Sequence, residues 1–156
     1  MEAVVASIVA VIGTLLGSGI THAFQRRATD RSERFARAER LRQERIDAYC
    51  AYAGALLDYR RVLVHRWFVL NDEDRCDEDS PALREEMYKT RYTAQEAMFR
   101  AQMVTDDPEI LARSEQVLAD VTELHWAEDR DALTAVRATT RQGIRDFIAA
   151  AAPRVR

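Results

Sequence analysis

Hydrophobic and polar positions fall into three regimes along the chain. From Ala3 to Ile20 no charged residue appears, and the apolar character runs on to Phe24. At ~1.5 Å per residue, about 20 such residues cross a hydrocarbon core of ~30 Å. The pattern predicts a transmembrane anchor over residues 1–24. From Gln25 to Arg45 nearly every position is polar, which predicts an exposed juxtamembrane helix or stalk about 30 Å long. From Ile46 onward apolar residues recur at helical spacing, which predicts a helical bundle over residues 46–152. The expected fold class is all-α: a single N-terminal span, a stalk and a small antiparallel bundle.

Two other readings of the first stretch fit less well. A cleaved signal peptide has a positive start and a core of ~7–15 residues. Here Glu2 carries the wrong sign and the core is longer, although Gly17, Ser18 and Gly19 resemble a small-residue cleavage site. A buried soluble helix seldom runs this far without a polar face.

The polar regime sets an expected orientation. Arg26, Arg27, Arg31 and Arg34 follow the span, and no Lys or Arg precedes it. Cationic flanks stay on the cytoplasmic side, so the N-terminus is expected outside and the bundle in the cytoplasm, at the cell membrane. The same arginines suit anionic lipid headgroups. Within the span, Gly13 and Gly17 form a GxxxG pair, extended by Thr21, a face on which membrane helices pack closely. Phe24, Ala28, Arg31, Phe35, Ala38 and Arg42 continue with 4,3 spacing, a coiled-coil seam that carries two arginines. These features favour a homo-oligomer, a dimer before a ring.

The bundle regime divides into four helices. Ile46, Tyr49, Ala53, Leu56, Leu63, Trp67 and Leu70 share one face, widened by Leu57, Val64 and Phe68. This helix ends at Asn71. Ser80-Pro81 starts the next, with Ser as N-cap and Pro at the first helical position. Its expected core face is Leu83, Met87, Ala94, Met98 and Ala101, with Tyr88, Tyr92 and Phe99 beside it. Asp107-Pro108 starts a third helix carrying Ile110, Leu111, Val117, Leu118, Val121 and Leu124, with His125 and Trp126 near its end. After a charged break over residues 128–131, a last helix presents Leu133, Val136, Thr140, Ile144, Phe147 and Ile148, and Pro153 ends it. Short connections imply antiparallel neighbours.

Composition sharpens this only a little. The chain has 156 residues and a formal net charge of −3, which speaks against a dedicated nucleic-acid binder. Lys89 is the only lysine; every other side-chain cation of that class is arginine. Cys50 and Cys76 make no zinc motif, which needs four ligands at defined spacing. Cys50 reads as a small packing residue and Cys76 as a loop thiol. The acidic segment NDEDRCDEDS lacks the glycine and ligand spacing of a calcium loop. His22, His65 and His125 are scattered, without a metal-binding spacing. The cluster of Tyr49, Tyr52, Tyr59, Trp67 and Phe68 reads as core.

No catalytic, cofactor or metal residue emerges. The expected function is an interaction or assembly module at the cytoplasmic membrane face, with membrane lipid, a second copy or a cytoplasmic protein as partner. An alternative is a membrane effector whose oligomerised spans perturb the bilayer or form a pore. An enzyme with a pocket in the bundle is the remote alternative.

Overall fold

The computed structural model describes the backbone of residues 2–71 and 80–156, and the side chains of residues 25, 26 and 29 onward within those ranges. The predicted span, its packing residues Gly13, Gly17 and Thr21, and the side chains of Arg27 and His22 lie outside the described residues. So does most of the acidic segment, with Cys76. Among the described residues, no helix is long and apolar enough to cross a membrane, and no strand is present.

Four α-helices follow one another: α1 (Glu2–Asn71), α2 (Pro81–Met103), α3 (Pro108–Glu123) and α4 (Arg130–Ala151). Short 3-10 turns, Leu124–Trp126 and Ala152–Val155, follow α3 and α4. The chain divides into two compact units, residues 1–40 and 41–156.

In the first unit the described side chains are all exposed, including Arg26, Arg31 and Arg34. Glu33 and Arg37 pair at 3.3 Å one turn apart, the arrangement expected of a solvated helix. Phe35 is 74% exposed.

The second unit is built from local signals that agree. Each of its three later helices starts on a side-chain cap. Ser80 Oγ accepts from the Leu83 N–H at 3.2 Å. Asp107 Oδ1 accepts from Glu109 N–H at 2.9 Å, and Asp129 Oδ1 from Ala132 N–H at 2.7 Å. Such caps stabilise a helix by roughly 1 kcal/mol each. Pro81 and Pro108 stand at the first helical position, where no N–H partner is needed. The break over residues 128–131 thus holds a third cap, and α3 stops before His125 and Trp126.

Packing then joins the helices around the inner face of α1. Tyr49, Tyr52, Leu56, Tyr59, Leu63 and Trp67 are buried against Ala94, Met98, Ile110, Val117, Val121, Leu133, Ile144 and Phe147. Phe147 receives Tyr52 edge-on at 5.1 Å and Tyr49 at 6.0 Å, a favoured aromatic geometry. Gly143 allows α4 to approach α3: a Cβ there would lie 3.3 Å from Val117 Cγ2. A satellite cluster joins Val62 and Val69 to Leu83 and Met87. Leu57 and Leu70, expected on the core face, are about half exposed instead, because no neighbouring helix covers that flank of α1.

Buried polar groups are paired across the bundle. Tyr52 donates to the Ser114 carbonyl at 2.6 Å and Trp67 Nε1 to the Ala127 carbonyl at 2.6 Å. Arg60 reaches Thr140 Oγ1 and the Arg137 carbonyl, each at 3.0 Å. Contacts along α1 give its direction against α2: Arg45 meets the Val104 carbonyl at 2.9 Å, while Arg61 meets Glu86 at 3.3 Å. The two helices are therefore antiparallel.

Candidate interaction surfaces

With this core closed, the outward faces decide what the domain can bind. The outer face of α2 is unusual. Its inner face buries Leu83, Ala94, Met98 and Ala101. On the opposite side Tyr88, Tyr92, Phe99 and Met103 stand 52%, 68%, 51% and 79% exposed. They recur at helical spacing, so they form one stripe. The sequence pattern sets Tyr88, Tyr92 and Phe99 beside the core. In the structure they point away from it, because α3 and α1 occupy only one side of α2.

A second feature is a groove of about 440 Å³ between α1 and α4, lined by Ile46, Tyr49, Cys50, Ala53, Gly54, Leu57, Ile148, Ala151, Ala152 and Val155. Its wall is almost wholly apolar. Cys50, expected as a packing residue, is exposed here, and a Cβ at Gly54 would meet nothing within 4 Å. The Tyr49 hydroxyl is buried without a hydrogen-bond partner, which is uncommon for a buried polar atom.

The remaining hollows are polar and open. Glu109, Arg113, Asp146 and Arg154 surround one of about 500 Å³. Arg66 and His125 Nδ1 lie 3.2 Å apart beside another of about 290 Å³. Arg154 contacts the Asp107 carboxylate. Desolvation pushes that carboxyl up, but the Glu109 amide, the Arg154 guanidinium and the Ile110 amide outweigh it and leave its pKa below the ordinary value. Burial, then the charges of Arg137 and Arg141, lower the pKa of Arg60. These shifts belong to helix caps and interhelical links. Among the described residues, no group of three acidic, histidine or cysteine side chains could hold a metal ion. His65 and His125 lie exposed on separate helical elements.

The sequence therefore located the core aromatics, with Phe68 half-buried at their edge. It missed both surfaces. The signal for α2 was present: Tyr88, Tyr92 and Phe99 keep 4,7 spacing about half a turn away from Leu83, Ala94 and Met98.

No curated protein and no solved structure matches the chain. The profile of the family described as KilB plasmid transfer protein does match, over residues 46–155. That range opens at the start of the apolar face of α1 and closes in the last 3-10 turn, so it takes in nearly all of the second compact unit. It covers well over half of the sequence, and the chain accordingly belongs to the KilB family of plasmid transfer proteins.

Proposed function

We propose that the chain is a membrane-anchored assembly module that acts in plasmid transfer through the outer face of α2. The observation that carries this reading is the stripe of Tyr88, Tyr92, Phe99 and Met103, exposed on a helix whose other side is core. Contiguous apolar surface of a few hundred Å² on a soluble domain marks a contact site. Tyrosine and phenylalanine are also the side chains enriched at such contacts.

The family description supports plasmid transfer as the process. The uncharged stretch over Ala3–Phe24 supports an anchor, and Arg26, Arg27, Arg31 and Arg34 support a cytoplasmic bundle. Each of those arginines near the surface adds about 1 kcal/mol of attraction to anionic lipid. In this reading the chain performs no reaction; it holds other molecules in place.

The test is transfer of a plasmid encoding Tyr92→Asp or Phe99→Asp. Both positions are exposed, so thermal unfolding of the purified protein should be unchanged. Transfer frequency should fall at least tenfold. Undiminished transfer with both variants would remove α2 from the function.

A further inference from the structure

We infer that the occupant of the α2 face is a second copy of this chain, docked antiparallel; this rests on the reading of α2 as the docking face. Tyr88, Tyr92, Gln95, Phe99 and Gln102 follow 4,3,4,3 spacing, the a/d seam of a two-helix contact. With Tyr92 and Phe99 at a, the flanking e positions hold Lys89 and Glu96 and the g positions hold Arg84, Arg91 and Met98.

Those flanks choose the direction. In an antiparallel pair each a residue meets a d residue of the other copy. Tyr88 then faces Phe99 and Tyr92 faces Gln95, twice each about a two-fold axis between residues 93 and 94. The e position of one copy meets the e position of the other. Lys89 is thereby set against Glu96, and Glu96 against Lys89, so the face complements itself as an isologous contact must. Arg91 faces the apolar Met98. A parallel pair would instead bring Arg84 against Lys89, a like-charge contact on both sides.

The area is sufficient. Large aromatic side chains cover ~150–250 Å² each, so four that are half to four-fifths exposed offer on the order of 500 Å² per copy. Glu85, Lys89, Gln95 and Glu96 around them bring the face towards the ~800 Å² per partner of a standard interface. Because α1 runs antiparallel to α2 within the bundle, the Arg45 ends of the two copies point in opposite directions. Pairing through Gly13 and Gly17 would set chains side by side, so the two contacts would join different copies.

Lys89 provides the test. It is the sole lysine, and within one copy Glu96 lies seven residues away, about 10 Å along the helix, too far for a direct amide bond. Treating the full-length protein in detergent micelles with a carbodiimide should yield a product of twice the chain mass, carrying a Lys89–Glu96 link. Lys89→Glu should weaken the α2 dimer at least tenfold in dilution series, and Lys89→Glu with Glu96→Lys should restore it. Both sites are exposed, so the fold is unaffected. Products of chain mass alone, a double-mass product without the Lys89–Glu96 link, or failure of the double reversal to restore pairing would overturn the inference. If Tyr92→Asp abolishes transfer while no such link forms, α2 keeps its role as a docking face and the second copy is excluded as its occupant.

Discussion

The hydroxyl of Tyr52 on α1 donates to the main-chain carbonyl of Ser114 on α3 at 2.6 Å, and both residues are fully buried. This one bond fixes the height of α1 against α3. It also ties the stability of the bundle to the protonation of a phenol.

Burial pushes the Tyr52 pKa well above its ordinary value. An unfolded tyrosine titrates near ~10. Below that pH both states hold the proton and stability does not depend on it. Above it only the unfolded state releases the proton, so stability should fall by up to about 1.4 kcal/mol per pH unit until the folded phenol also ionises. Urea unfolding between pH 8 and pH 11 (a range chosen around the ~10 reference) should show this decline in the wild type. It should be weaker in Tyr52→Phe, which loses about 1–2 kcal/mol at neutral pH.

Tyr49 is the opposite case. Its hydroxyl is buried and unpartnered, while its ring packs edge-on to Phe147. Tyr49→Phe keeps the ring contact and removes an unsatisfied polar atom. The variant should be as stable as the wild type or up to about 1 kcal/mol more stable. A loss above 1 kcal/mol in chemical denaturation would mean that the hydroxyl has a partner in solution.

Phe147 stands between both tyrosines and is fully buried. Phe147→Ala should cost about 3–5 kcal/mol, enough to unfold much of a marginally stable domain. Loss of the cooperative thermal transition in circular dichroism is the expected readout.

The two helical glycines of the second unit should respond differently to alanine. At Gly54 the added methyl meets open space, so Gly54→Ala should gain about 0.5–1 kcal/mol from helix propensity. At Gly143 it presses on buried Val117. Gly143→Ala should fall short of Gly54→Ala by about 1 kcal/mol, since the crowding offsets the propensity gain. Equal melting temperatures for the two variants would refute the close α3–α4 approach.

Much of this was legible in the sequence where the signal is local. Ser80 and Asp107 announce their helices because a cap is a contact between a side chain and the next few amides. Tyr49, Leu56, Leu63 and Trp67 declare a core face because one helix must bury one side. The α2 face was not legible in the same way. That helix carries apolar residues on two opposite stripes, so periodicity alone cannot say which stripe meets neighbours. Leu57, Cys50 and Ile148 likewise face a groove whose existence depends on how far apart α1 and α4 stand. Such positions are decided by the placement of other helices, which no window of one helix contains.

The pairing of Tyr49 and Tyr52 with Phe147 has a further consequence for synthesis. The ribosome releases the two tyrosines roughly a hundred residues before the ring that covers them, at ~5–20 residues per second. For several seconds the inner face of α1 is a finished helix with nothing to pack on. The three later helices, each with its own cap and a short connection, arrive as the pieces that close over it. Chains cut short before Phe147 should therefore expose the aromatic row of α1 and be held by chaperones, while those a few residues longer should let go.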